Sequence, residues 1–299
     1  MLQRYDERNA DIRYWVNGEL LHRSQPGLSP FDSVVQGGDA VWEGLRLYRG
    51  AVYGLTEHLA RLRRSATALG FADIPDDAAI IDALVTTLRA NEMVDGVHVR
   101  LTLTRGVKVT SGMDPRLNQA GSTLIVLAEF KAPVYDTGGL RLATSSVRRP
   151  GPDVLDPKIH HANLLNSILA KIEATAAGAD DALMLDQRGF VAETNATHLF
   201  AVTGGALATP STAACPEGIT RQTVLDLASV HGIPAVVRDI SLTEMYTADE
   251  VFCTGTMGEI AAVTVIDGRT IGTGEVGPLT SRVAQIYQKH AAANGVRLL

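Results

Sequence analysis

Cysteine is nearly absent from this 299-residue chain, with only Cys215 and Cys253 present, too few for a disulfide framework and too far apart for a CxxC metal or redox site. Such scarcity suits a reducing compartment, and a cytoplasmic protein is expected. Long apolar runs are missing as well. No stretch approaches the ~18 residues of a membrane span, and the opening MLQRYDERNADIRYW carries no apolar leader core. Positive charge is outnumbered, 27 Lys and Arg against 33 Asp and Glu, for a net charge of −6. A broad nucleic-acid or anionic-membrane surface needs a positive field, so neither partner is expected, although a local basic pocket stays open. Repeats, low-complexity tracts and long charge runs are also lacking.

Aromatic residues make up 5% of the chain, yet the apolar share of 45% is enough to bury a sizeable core and to build two compact lobes. Ile12 to Leu20 reads as a hairpin turning at Asn17-Gly18, and Leu45 to Leu55 as another turning at Arg49-Gly50. Apolar residues at 59, 62, 66 and 69 predict a helix capped by Thr56 and stopped by Gly70, which sends Arg61 and Arg63 to different faces. A second helix fits Asp76 to Asn91, and alternation predicts strands over Val97 to Thr104 and Thr123 to Glu129. The composition of Lys131 to Gly139 is that of a connector. The expected division is a lobe over 1–130, a connector over 131–139 and a larger lobe over 140–299.

In the second lobe a strand at Leu140 to Ser145 precedes a Pro/Gly bend, then a helix from about Asn163 to Ala177 whose Leu164, Ile168, Leu169 and Ile172 form an expected buried stripe. Strands at Asp181 to Leu185, Phe190 to Glu193 and His198 to Val202 read as an antiparallel meander. A helix from Thr220 to His231 is expected to begin on a threonine cap. Strands and helices without strict alternation give an α+β fold.

Several blocks carry chemistry. Glu217-Gly218-Ile219-Thr220-Arg221 places a glycine and a threonine at a helix start, where unpaired amides and the dipole make an anion site; a plain capped helix explains it equally on its own. In Thr254-Gly255-Thr256-Met257, hydroxyls and amides can converge on one anion, and an ordinary strand exit is the plainer account. Glu193 ends a strand, where a carboxylate can accept a hydrogen bond from a pyridinium nitrogen and keep that ring an electron sink; a glutamate in water is the commoner case. Arg46, His98, Arg100 and Arg105 lie on or just beyond first-lobe strands. Arginine matches a planar carboxylate bidentately, with surface ion pairing an equal alternative. Trp42, Val35 and Tyr48 supply apolar surface for a side-chain pocket or for core packing.

The blocks EGLR, EHLARL, LAKIEA, DDALMLD, GFVAETNATHLF, EGITR, ADEVF, TGTMGEI and IDGRTIG occur in order along the chain. Together they resemble the class IV, D-amino-acid/branched-chain family of pyridoxal-phosphate aminotransferases. The resemblance implies two lobes with the cofactor between them, in a homodimer or higher homo-oligomer. It implies that Arg61, Ile219, Thr220, Thr256 and the adjoining Met257 bind the cofactor's phosphate end and that Glu193 faces its ring nitrogen. It further implies that Trp42, Arg46, His98 and Arg100 meet the substrate, an amino acid, branched-chain or apolar by preference, that exchanges its amino group with a 2-oxo acid.

One position departs from the pattern. In relatives the Schiff-base lysine commonly precedes an asparagine by three residues, and counting back from Asn163 reaches His160, with Lys158 two residues upstream. If Ile159 is on a strand, Lys158 and His160 share a face about 6.6 Å apart, and Lys158 can reach the cofactor through a bulge. If His160 truly replaces the lysine, it moves protons but forms no covalent link. The first reading gives an aminotransferase working through Lys158. The second gives a lysine-less relative, acting as a different enzyme of the aminodeoxychorismate-lyase kind, or binding without turnover. Adjacent His160 and His161 on extended chain point to opposite faces, so no metal site is expected.

Overall fold

Alternation in VHVRLTLT puts Val97, Val99, Leu101 and Leu103 on one fully buried face of a strand. That strand lies within the first of two units in the computed structural model, which describes residues 5–133, 135 and 138–299. The first unit contains β1 (Arg13–Val16), β2 (Glu19–His22), α1 (Ser33–Gly37), β3 (Ala40–Tyr48), β4 (Ala51–Val52), α2 (Leu55–Ala68), α3 (Asp77–Ala90), β5 (Val97–Thr104) and β6 (Thr123–Phe130). With the late strand Val296–Arg297 it forms an antiparallel seven-stranded sheet, ordered Val296–Arg297, β4, β3, β5, β6, β1, β2. Leu59, Leu62 and Ala66 of α2 and Ile80, Leu84 and Leu88 of α3 close the buried face.

Both expected hairpins are present, and Asn17 and Gly18 take the positive φ of 44° and 98° that their turn requires. Helix α2 starts earlier than its pattern predicts. Gly54, in the left-handed conformation, is the N-cap, and Thr56 lies inside the first turn.

The second unit contains β7 (Leu140–Thr144), α4 (Pro152–Leu155), α5 (Leu165–Ala176), β8 (Asp181–Leu185), β9 (Val191–Thr194), β10 (His198–Thr203), β11 (Ala206–Thr209), α6 (Ile219–Val230), β12 (Ala235–Val237), α7 (Leu242–Tyr246), β13 (Glu250–Gly255), β14 (Glu259–Ile266), β15 (Arg269–Thr270) and α8 (Pro278–Ala293). Its nine-stranded sheet runs β12-β11-β10-β13-β14-β7-β8-β9, with β15 on β14. The expected meander does not form, because β9 pairs with β8 and β10 pairs with β11 and β13. Asn195 extends the β8–β9 pair by one residue: its amide donates to the Ala182 carbonyl at 3.0 Å and its side-chain oxygen receives the Ala182 amide at 2.7 Å.

Two further expectations are corrected. The α5 stripe faces outward, with Ile168, Leu169 and Ile172 at 52%, 46% and 59% exposure, while Ala170 and Ala174 are buried with Ala182 and Met184 of β8. Small residues let the helix approach the sheet closely, and the larger aliphatics are left on the outside. Residues Ile159–Asn163 and Asn294–Leu299 also belong with the first unit, not with 140–299. Backbone bonds explain the former: Trp42 donates to the His160 carbonyl and Ala162 to that of Ala40, so this short segment extends the edge of β3. Positions 134, 136 and 137 of the expected connector lie outside the described residues.

Asp32 ties three elements of the first unit together. Fully buried, it caps α1 through the Val34 amide at 3.0 Å and accepts the Thr104 and Thr123 hydroxyls at 3.0 and 2.9 Å. Hydrogen bonds to a buried charged group contribute about 1.5–3 kcal/mol, so Asp32→Ala is expected to lower unfolding free energy by about 2–3 kcal/mol in urea titration.

Candidate functional site

Glu43 occupies a position of β3 that faces α2, where the strand pattern calls for an apolar residue, and it is fully buried. Helix α2 answers with His58 and Arg61, three residues apart on one face. The Arg61 Nε and Nη2 groups donate to the two carboxylate oxygens at 2.8 and 2.6 Å, and His58 Nδ1 meets Oε2 at 2.6 Å. Burial alone would raise the Glu43 carboxyl, but His160, the Arg61 fork and His58 together bring it down to about 2. Arg61, which the family resemblance assigns to phosphate, is thus joined to a buried carboxylate through two of its nitrogens.

His160 sits beside this cluster, its Nδ1 3.6 Å from Glu43 Oε1. Trp42 fixes it from several directions. The ring stacks on the indole with centroids 4.6 Å apart, Nδ1 bonds the Trp42 carbonyl, and the Trp42 amide donates to the His160 carbonyl at 3.0 Å. Ser65 Oγ accepts the His160 amide at 3.0 Å, and the indole N–H donates to the His161 carbonyl at 3.1 Å. Burial lowers the His160 pKa to about 4, against the pull of Glu43 and with the push of Arg61 and His58, so the imidazole is neutral at physiological pH.

Lys158 is placed differently from the expected strand register. Residues Pro157 and Lys158 form a turn with a bend at Ile159, the Lys158 amide is held by Asp156 Oδ1 at 2.9 Å, and Lys158 is exposed. The other lysine nearby in sequence, Lys171 of α5, bonds Asp181 Oδ1 at 2.7 Å.

Trp42, Arg46, His98 and Arg100 share one face of the β3–β5 pair, since His98 stands opposite Arg46 and Arg100 opposite Gly44. The Arg100 guanidinium lies 4.0 Å from the centroid of the Trp42 ring. Burial, reinforced by the charges of Lys131, Arg100 and Arg46, lowers the His98 pKa to about 3. Arg46 Nε and His98 Nε2 are buried without a hydrogen-bond partner among the described residues. An anionic group would satisfy such a face. Arg105 is not part of it, because its guanidinium pairs with Asp39 and the Leu69 carbonyl. Val35, on α1, is exposed.

In the second unit His198 gathers the remaining candidates. It stands opposite Thr254 in the β10–β13 register, and its Nδ1 is 3.9 Å from Glu193 Oε2. Gly218 lets the ring in, since a Cβ there would lie 2.3 Å from it. Gly218 is also the N-cap of α6 without a side-chain cap bond, so the amides of Ile219, Thr220 and Arg221 precede the first intrahelical bond, Gln222 to Gly218. Arg221 itself turns away, to Thr209 Oγ1 and the Pro210 carbonyl. Glu193, buried, has Arg149 against one carboxylate oxygen, and Arg149 also reaches Asn166 and Ser167. Burial raises the Glu193 carboxyl to about 7 despite Arg149. Thr254 Oγ1 and Arg149 Nε are buried without a partner among the described residues.

These residues fit a ligand with an anionic tail and a ring N–H. Open helix amides and threonine hydroxyls suit the anion, and a buried carboxylate suits the N–H donor.

Residues 40–266 match the Amino-transferase class IV family, and the chain belongs to that family. The family is pyridoxal-phosphate-dependent. Over 96% of its length the chain is 54% identical to the branched-chain-amino-acid aminotransferase-like protein 2 of Arabidopsis thaliana, and it spans 52% of that relative. It therefore covers about half the length of the plant proteins it matches. With a putative branched-chain-amino-acid aminotransferase of Methanocaldococcus jannaschii it shares 39% identity over 96% of this chain and 99% of that one. The fold superposes on a T.th. branched-chain amino acid aminotransferase complexed with N-(5′-phosphopyridoxyl)-L-glutamate at a TM-score of 0.89 and 31% identity, covering 97% of this chain and 99% of the other. The α+β fold is the class IV aminotransferase fold.

Glu43, His58 and Arg149 were not singled out from sequence. Glu43 did leave a signal: a carboxylate at a core position of an alternating strand needs buried cationic partners, and the next helix carries His58 and Arg61 at helical spacing. Arg149, in a Pro/Gly-rich bend, left none.

The low pKa of His160 makes stability depend on pH. In the unfolded chain this imidazole binds a proton below its ordinary value of 6.5, whereas folded it does so only near 4. The unfolded state therefore holds more protons between those values, and stability should fall as pH drops from 6.5 toward 4. Tm measured across that window is expected to decline less steeply in His160→Asn.

Proposed function

We propose that this chain binds pyridoxal 5′-phosphate without a covalent lysine link and acts on the amino group of apolar or branched-chain amino acids and their 2-oxo acids, with His160 taking the lysine's place as the proton-moving side chain. One observation supports this reading: His160, reached by counting back three residues from Asn163, packs its imidazole on Trp42, while Lys158 lies exposed in a turn and Lys171 is held by Asp181.

Ile219, Thr220 and Thr256, with Met257 beside them, would receive the phosphate, and Glu193 would accept the ring N–H, its ionised form favoured by Arg149. Bound pyridoxal phosphate supplies an electron-withdrawing ring that stabilises negative charge on the substrate's α-carbon. His160 takes up a proton at Nε2, because its Nδ1 hydrogen is directed to the Trp42 carbonyl. Arg46, His98 and Arg100 would hold a substrate carboxylate, beside the apolar surface of Trp42. The names of the curated relatives support the branched-chain preference. The outward aliphatic stripe of α5 supports assembly as a homodimer or higher homo-oligomer, and the free, buried Cys215 and Cys253 support a reducing, cytoplasmic setting.

The test is borohydride reduction of cofactor-loaded protein followed by peptide mapping over its five lysines, Lys108, Lys131, Lys158, Lys171 and Lys289. Retained cofactor with no phosphopyridoxyl lysine is the expected result, whereas a stoichiometric adduct on Lys158 would restore the aminotransferase reading that runs through that residue. In His160→Lys the adduct should form on the introduced side chain.

A further inference from the structure

We propose that the cofactor form this chain keeps at rest is the amine, pyridoxamine 5′-phosphate, in preference to the aldehyde. The inference rests on the noncovalent-cofactor reading above and adds which form is held and why. It begins with a tautomer. The Trp42 carbonyl can only accept, so the His160 nitrogen bonded to it carries the hydrogen. Nδ1 is therefore the donor, and Nε2 presents a lone pair with no protein partner among the described residues.

Trp42 leaves little freedom to reverse this. Stacking at 4.6 Å holds the ring plane, and the bonds from the Trp42 amide to the His160 carbonyl and from the His160 amide to Ser65 Oγ hold the main chain on both sides of Cα. Nor does Glu43 compete for the outer nitrogen, because its carboxylate is engaged by Arg61, by His58 and, at 3.6 Å, by the Nδ1 side of the ring.

A side chain fixed in this way discriminates between the two forms of the cofactor. A protonated amine donates a hydrogen bond to a lone pair, and the bond is charge-assisted. An aldehyde oxygen only accepts, and it would bring a second lone pair against the first. In a protein with lysine at this position the aldehyde gains a covalent bond that outweighs such a preference; an imidazole offers none. The predicted consequence is a protein that holds the aminated cofactor and takes up the aldehyde weakly.

The experiment is calorimetric titration of cofactor-free full-length chain, in an amine-free buffer near neutral pH, with pyridoxamine phosphate and pyridoxal phosphate separately, alongside nitrogen-15 NMR of the histidine ring without cofactor. Expected are a Kd about tenfold or more lower for the amine, as one charge-assisted hydrogen bond provides, and an Nδ1–H signature for His160. The preference should shrink in His160→Asn, whose amide both donates and accepts, and reverse in His160→Lys. Equal or tighter binding of the aldehyde by the unaltered protein, or an Nε2–H tautomer, overturns this inference while leaving the noncovalent-cofactor reading standing. Binding of neither form overturns both. The unaltered protein alone decides between these outcomes, whether or not the variants fold.

Discussion

A buried carboxylate governs the first unit. Removing an ionised glutamate from water costs several kcal/mol after relaxation, and an unpaired charge at the Glu43 position would be incompatible with the apolar core around it. The chain meets this cost with Arg61 and His58 from a single helix face, which sets how α2 rests on β3 and in what register. The same charges then act on a third neighbour. With Arg61 and His58 already facing Glu43, a further cation at His160 meets both burial and repulsion, and the imidazole stays neutral.

The second unit carries a comparable carboxylate with a different outcome. Glu193 is buried like Glu43, but it has Arg149 and, at 3.9 Å, His198, where Glu43 has a two-pronged arginine, a hydrogen-bonded histidine at 2.6 Å and the His160 ring at 3.6 Å. One sits near 2 and the other near 7. Burial is common to both, so the difference comes from the count and closeness of cationic or donor groups. A carboxylate near 2 is a permanent structural charge. One near 7 changes state with what is placed against it, and a ring N–H donor would draw it toward the ionised form.

Legibility followed the range of the interactions involved. Hairpins at Asn17-Gly18 and Arg49-Gly50, and the strands Val97–Thr104 and Thr123–Phe130, were readable because turn chemistry and two-residue alternation are local. The α5 stripe misled because periodicity reports that a helix has an apolar side, not which side meets the sheet; Ala170 and Ala174 won that contact by being small. Strand order failed at β9 because β10 takes β13, remote in sequence, on one edge and β11 on the other, and local alternation does not report such a pairing. Among site residues, the shared face of Trp42, Arg46, His98 and Arg100 follows from strand alternation. The setting of His160 does not, because it depends on a segment remote in sequence joining β3 by backbone bonds, with no pattern of its own.

Histidine and lysine ask different things of the residues around them, and the surroundings of residue 160 are those of an imidazole. A lysine has a flexible stem and an ammonium that donates in every direction, so neighbours need only admit it. An imidazole has two nitrogens with opposite roles, and its chemistry depends on which one carries hydrogen. The Trp42 carbonyl makes that choice, and the indole ring and the Ser65 hydroxyl hold the geometry in which it persists. Glu43 and Arg61, a matched pair of charges, add a field without offering Nε2 a partner. The local structure around residue 160 therefore directs Nδ1 to a backbone carbonyl and leaves Nε2 as the acceptor nitrogen of the ring.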